Sequence, residues 1–156
     1  MEARLNVFGS PTGAKVIKHF GAAGKAIADS GLPFAVQELV KIRASQINGC
    51  GFCLDMHTKD AEAAGESFQR LYMVAAWREA KVFTDAERAA LELAEQGTRI
   101  ADGSGVPDEV WRNAAKHYDE EQLAGLVALI ALINAYNRVN VLLQQPAGDY
   151  RVGMFG

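Results

Sequence analysis

Residues 38–57 read Glu38-Leu39-Val40-Lys41-Ile42-Arg43-Ala44-Ser45-Gln46-Ile47-Asn48-Gly49-Cys50-Gly51-Phe52-Cys53-Leu54-Asp55-Met56-His57. The stretch is a helix, a break at Asn48-Gly49 and a second helix starting at about Cys50. It holds both cysteines, one of the three histidines, and a carboxylate twelve residues before the first sulfur. Cys50 and Cys53 are three apart, and Cys53 and His57 four apart, spacings that put neighbours on one helix face. Both sulfurs fall in the first turn, where free backbone N–H groups and the helix dipole favour negative charge. In the preceding helix the apolar stripe is Val36, Leu39, Val40 and Ile47, with Arg43 in the same sector. Glu38 lies on the opposite face, one turn from Phe34 and from Ile42, so that this helix has a second, partly apolar side with a carboxylate in it.

Outward from this pair the helical pattern continues in both directions. Ser10-Pro11 offers a cap and a first-turn proline for a helix that Gly31 can close, and Pro33 starts the helix that carries Glu38. The cysteine helix stops at Gly65. Ser67 caps a fourth helix running through Trp77, and Thr84-Asp-Ala-Glu87 is a capping box for a fifth. After the loop Ala101–Gly105, Pro107 starts a short sixth helix. Asp119-Glu-Glu-Gln122 is a second capping box, opening the longest helix, which Pro146 terminates near Gln144. That helix is apolar nearly all round between Leu123 and Leu143, the pattern of a central or interface helix. No segment alternates with period two. The expected fold is all-α, with about seven helices and residues 1–156 forming one domain.

Composition narrows the function. With 156 residues and 49% hydrophobic side chains, the chain can build a core without a staple, so its cysteine pair is not needed as a structural framework. Sixteen basic against nineteen acidic residues give a net charge of -3 with no basic block, which argues against nucleic acid as a partner. The first thirty residues do not read as a secretory signal. The most apolar run, Leu123 to Ile133, is short of the roughly 20 residues a bilayer requires. The expectation is a cytoplasmic protein with no membrane partner and its thiols normally reduced.

Two thiols beside an imidazole form a chemical unit. An unperturbed cysteine titrates at about 8.5, and a helix N-terminus and a nearby base both favour the reactive thiolate. If one sulfur takes an oxygen from a peroxide and becomes a sulfenic acid, the other can condense with it to a disulfide. The departing oxygen needs a proton, for which His57 with Glu38 is a suitable donor system. Zinc is the local rival, since Cys50, Cys53, His57 and Glu38 could supply four ligands. Structural zinc sites usually draw two pairs from separate segments, however, and neither His19 nor His117 has a cysteine beside it. No metal or other cofactor is expected. Gly103-Ser-Gly105 reads as a turn, Trp77 and Trp111 as members of helical core stripes, and Asn137-Arg138 as part of a polar strip on the last helix.

The pattern Glu38-x11-Cys50-x2-Cys53-x3-His57 resembles the core of the alkylhydroperoxidase D (AhpD)-like family within the carboxymuconolactone decarboxylase superfamily. The similarity continues through Phe68-Gln-Arg-Leu, Ala76-Trp-Arg-Glu79, Thr84-Asp-Ala-Glu-Arg-Ala-Ala-Leu91 and Asn134 to Val139, covering about residues 33–143. The resemblance implies an all-α fold assembled as trimers or hexamers. It further implies reduction of hydroperoxides by Cys53, with Cys50 as the resolving thiol, Glu38 and His57 as a proton relay, and an external thiol or dithiol as reductant. The helix dipole by itself favours Cys50 at least as strongly as Cys53. One departure is Phe52, where the family pattern has a histidine. Two other readings share the fold: a non-enzymatic redox-sensing or protein-disulfide partner, and a lactone decarboxylase of the branch that works without a thiol pair.

Overall fold

Side-chain caps fix where the helices begin. Ser10 Oγ accepts the Gly13 N–H with Pro11 at the first helical position, opening α1 (Pro11–Ala28). Pro33 precedes α2 (Phe34–Asn48), and Cys50 is itself the cap of α3 (Gly51–Ala63). Ser67 caps α4 (Phe68–Met73). Reciprocal capping boxes, Thr84 with Glu87 and Asp119 with Gln122, open α5 (Asp85–Thr98) and α7 (Glu120–Leu143), each worth about 1 kcal/mol. Between them lies α6 (Asp108–Ala114). In this computed structural model, which describes residues 2–155, the fold is all-α, with seven helices and no strand among the described residues.

The differences from the sequence expectation are local. The fourth helix ends at Met73 and continues as a single 3-10 turn, Val74–Ala76, instead of running on to Trp77. A short 3-10 turn, Val7–Gly9, capped by the Asn6 side chain, precedes α1. Trp111 is 44% exposed and does not belong to the core, whereas Trp77 does, because α6 is only two turns long and buries just Val110 and Ala114.

Packing centres on α2, which lies against α3, α5 and α7. On one side Val36 and Val40 meet Ile27 of α1, Leu93 of α5, Val110 of α6 and Leu126 of α7. On the other, Leu39 and Ile42 meet Ala61 of α3, Leu71 of α4, Trp77 and Leu91 of α5. Burying each such side chain stabilises the fold by roughly 1.5–3 kcal/mol. Enclosure on opposing sides removes Glu38 from solvent as well. Arg43, in the apolar sector of α2, is accommodated by an ion pair: its Nε donates 2.6 Å to Glu95 of α5. Glu95 also accepts from Trp77 Nε1 at 2.9 Å and from Arg78.

The last helix is apolar on most sides, yet only 33% of its most apolar window is buried. By length and hydropathy α7 could cross a membrane, so the shorter run Leu123–Ile133 understates it. In the structure it packs on α1, α2 and α5, and it carries buried Asn134 and Asn137.

Candidate active site

A buried amide network sets the turn that leads into the cysteines. Asn48 Nδ2 donates to Asn134 Oδ1 and Asn137 Oδ1, both at 2.9 Å, Asn137 Nδ2 donates to Ser45 Oγ at 3.0 Å, and Asn134 Nδ2 to Thr98 Oγ1 at 3.0 Å. The end of α2 is thereby tied to α5 and α7. Gly49 then adopts φ +68, a left-handed conformation that glycine enters without steric cost, and the Cys50 N–H donates back to Ser45 O at 3.0 Å. This reversal delivers Cys50 as the cap of α3, its Sγ accepting the Cys53 N–H at 3.3 Å. The two sulfurs are joined as a disulfide, with Cα atoms 5.4 Å apart.

One turn further along α3, His57 Nδ1 lies 2.9 Å from Glu38 Oε2, and Lys41 Nζ donates to Glu38 Oε1 at 2.7 Å. Burial would push the Glu38 carboxyl up, but the His57 hydrogen bond, the His57 charge and Lys41 together outweigh it and hold the group below the usual carboxylate range. An ionised carboxylate can only accept, so the shared proton resides on Nδ1 and leaves Nε2 as the exchangeable nitrogen. Among the described residues no group of three or more metal-ligating side chains is placed to hold a metal ion.

The disulfide separates two cavities. Cys53, with Met56 and His57, lines a cavity of about 440 Å³ whose other walls include Ile17, Leu132, Ile133, Tyr136 and Val139. Cys50 instead lines a wider groove on the other side, with Gly51, Gln144, Gln145, Ala147 and Asp149. Phe52, Asn140 and Gln145 belong to both walls. Asn140 Nδ2 points at Cys53 Sγ, 3.4 Å away. Asn140 is absent from the motif, and its signal in the sequence is its place with Asn134 and Asn137 at three-residue intervals on a mainly apolar helix.

Both chain ends reach the apolar cavity. Val7 and Phe8 line it, as does Phe155, whose ring lies 6.1 Å from Phe52 and 6.0 Å from Tyr150. The C-terminal segment is fastened to α3. Asp55 Oδ2 accepts the Gly148 and Tyr150 N–H groups at 2.9 and 3.1 Å, Lys59 Nζ donates to Tyr150 O at 2.8 Å, and Tyr150 Oη donates to Asp60 Oδ1 at 2.7 Å. Burial and the Asp60 carboxylate push the Tyr150 hydroxyl up to about 12, so it remains a donor at neutral pH.

Residues 13–96, more than half of the sequence, match the carboxymuconolactone decarboxylase family. The chain belongs to that family. It is 42% identical over 140 residues to the uncharacterized protein YdfG of Bacillus subtilis (strain 168), covering 90% of this chain and 92% of that one. To the uncharacterized protein YnjA of Escherichia coli (strain K12) it is 39% identical over 113 residues, 72% of this chain and 60% of YnjA. Among solved structures, it superposes with TM-score 0.87 on ATU0492 of Agrobacterium tumefaciens, a protein of unknown function grouped with the antioxidant-defence protein AhpD. The two are 33% identical, and the match covers 96% of this chain and 100% of that one. The debrominase Bmp8, 21% identical, shares the fold with TM-score 0.77 over 88% of this chain and 74% of its own.

Within the family this is an AhpD-like member, and the family includes enzymes. Of the four residues of the motif, Cys53 and His57 line one cavity, Glu38 hydrogen-bonds His57, and Cys50 lines the adjoining groove. Phe52 adds to the apolar wall.

Proposed function

We propose that the protein is a thiol-dependent peroxidase acting on organic hydroperoxides through a dithiol–disulfide cycle. The observation that carries this reading is that Cys53, and not Cys50, shares the apolar cavity with a histidine held by a buried carboxylate. In the reduced enzyme the Cys53 thiolate attacks the outer oxygen of ROOH. The O–O bond breaks, the sulfur becomes a sulfenic acid, and the departing alkoxide takes from His57 Nε2 the proton that this nitrogen accepted from the Cys53 thiol, Glu38 orienting the ring through Nδ1. Cys50 then attacks the Cys53 sulfur as a thiolate, hydroxide leaves and is protonated to water, and the disulfide is formed. Two equivalents of an external thiol, or one of a dithiol, restore the reduced state.

Substrate class follows from the walls. A cavity lined mainly by aliphatic and aromatic side chains suits the organic part of a hydroperoxide, and His57 and Asn140 are the polar groups beside Cys53. We place the cycle in the cytoplasm, whose thiol pool can return the disulfide to the dithiol. Assembly as a homo-oligomer belongs to the same reading, supported by the exposed Val127, Val141 and Leu142 on α7.

The test is a thiol count on reduced protein before and after one equivalent of cumene hydroperoxide, with peroxide consumption followed in parallel. The expected result is loss of two thiols per chain for each peroxide consumed, and no catalytic turnover after Cys53→Ser. Unchanged thiols with unconsumed peroxide would refute the peroxidase. Activity on a lactone substrate that survives thiol alkylation would place the protein in the decarboxylase branch.

A further inference from the structure

The oxidised site has two faces, each lined by a different cysteine, and both cysteines are buried to about 1% exposure. Cys53 meets the apolar cavity, and Cys50 meets the groove formed by the α2–α3 turn and the segment after α7. Asn140 and Gln145 are shared with the cavity, and the groove adds Gln144 and Asp149, the one charged side chain among its described lining residues. Its floor beside Cys50 is Gly51, where an added Cβ would lie 3.3 Å from the Ala147 Cβ. Ala147 is exposed and stands at the edge of the path to Cys50.

Thiol–disulfide exchange proceeds by attack of a thiolate on one sulfur with the other as leaving group, so access and leaving-group stability together select the sulfur attacked. A charged thiolate loses hydration on entering the mainly apolar cavity, and the cation in its lining, Lys41, is already paired with Glu38 at 2.7 Å, so approach to Cys53 from that side is disfavoured. Attack on Cys50 from the groove expels Cys53 as the thiolate. That sulfur faces the Asn140 amide at 3.4 Å, in a cavity that also holds His57. Cys50 has one donor of its own, the Cys53 N–H at 3.3 Å.

Resting on the peroxidase reading, we infer that substrate and reductant use opposite faces of the disulfide: the groove at Cys50 is the docking site for a neutral or cationic thiol, which attacks Cys50. The first thiolate bonds to the Cys50 sulfur, the S–S bond breaks, and Cys53 leaves as a thiolate. A second thiolate, from the same or another reductant molecule, attacks the reductant's own sulfur and releases Cys50, which takes up a proton. The protein disulfide gains two electrons, and the reductant thiols become a disulfide. With Asp149 at the groove, anionic thiols are the disfavoured class.

The experiment involves no peroxide. Protein oxidised with diamide is reduced by cysteamine or by 2-mercaptoethanesulfonate, and free thiols are counted by alkylation after acid quench. Ala147→Trp, which obstructs the groove, should slow reduction by about tenfold, while Leu132→Trp, which fills the apolar cavity, should leave the rate within about twofold of wild type. Asp149→Lys, at an exposed position, gives a second readout: the preference for cysteamine over the sulfonate should fall several-fold, and more at low salt. Wild-type rates in Ala147→Trp with an unchanged thiol preference in Asp149→Lys would overturn the inference, as would slowing by Leu132→Trp alone. Because diamide forms the disulfide, these outcomes bear on the reductant's entrance, whereas the cumene hydroperoxide count bears on the peroxidase.

Discussion

Replacing Asn140 by leucine removes the amide that faces Cys53 while keeping nearly the same volume. The Nδ2–Sγ distance is 3.4 Å and the asparagine is half-buried. Hydrogen bonds to charged groups contribute about 1.5–3 kcal/mol, and sulfur is a weak acceptor, so the lower end applies. Removing the donor therefore disfavours the thiolate by on the order of 1.5 kcal/mol, a factor of about ten, and moves the Cys53 thiol up. Below the midpoint the thiolate fraction then falls about tenfold, but nucleophilicity rises with basicity with a slope of about 0.4–0.5. The plateau rate at high pH should therefore increase by about threefold. The assay is the pH dependence of iodoacetamide alkylation in reduced Cys50→Ser protein, where Cys53 is the sole thiol. The Asn140→Leu curve should lie below the parent at neutral pH and cross it at alkaline pH. Superimposable curves, or a midpoint shifted downward, would refute the role of the amide.

Other perturbations test the frame around the site. Glu95→Ala leaves Arg43, Arg78 and the Trp77 N–H without their shared acceptor; the expected loss is about 3 kcal/mol, a fall in Tm on the order of 10 °C by calorimetry. Burial would push the Glu95 carboxyl up, but Arg78, Trp77 and Arg43 hold it down, and in Glu87 Arg70 and the Thr84 N–H likewise outweigh burial. Depressed carboxylates contribute stability that is fully present above their ordinary value of 4.5 and is lost as pH falls through the lower folded values. Urea midpoints should therefore drop more steeply below that pH in wild type than in Glu95→Gln. Asp55→Ala removes the acceptor for the Gly148 and Tyr150 N–H groups, so trypsin should cleave after Arg151 several-fold faster, an increase on the scale of about 1 kcal/mol of lost anchoring; an unchanged rate by mass spectrometry would show that the other contacts hold the segment alone.

Helix starts were legible because they are written in local chemistry: Ser10 before Pro11, Thr84 with Glu87, and Asp119 with Gln122 each satisfy N–H groups within one turn. The cysteine helix was legible for the same reason, and so was the second apolar side of α2 that places Glu38 near His57. What remained hidden depends on neighbours distant in sequence. Phe34, one turn from Glu38, is half exposed while Ile42, one turn the other way, is fully buried, a difference created by what packs against the helix. Arg43 falls in the apolar sector of α2, and its partner there, Glu95, is 52 residues away in sequence. Asn140 gains its meaning from a contact 87 residues distant, and spacing along α7 alone cannot say which of three asparagines turns toward a sulfur. The orientation of the cysteines was equally out of reach, since the helix dipole treats both as first-turn groups and only the cavities on either side distinguish them.

The meeting of both termini at the apolar cavity has a practical side. Val7 and Phe8 from the N-terminal segment and Phe155 from the C-terminal one form part of its wall, so an affinity tag joined to the C-terminal segment would begin close to the cavity in which we propose that substrate binds. Peroxidase rates measured on a tagged preparation would then report the tag's occupancy of that cavity as well as the chemistry proposed for Cys53. Cleaving the tag and repeating the measurement separates the two, and comparing N-terminal with C-terminal fusions shows which end segment interferes more with the proposed substrate.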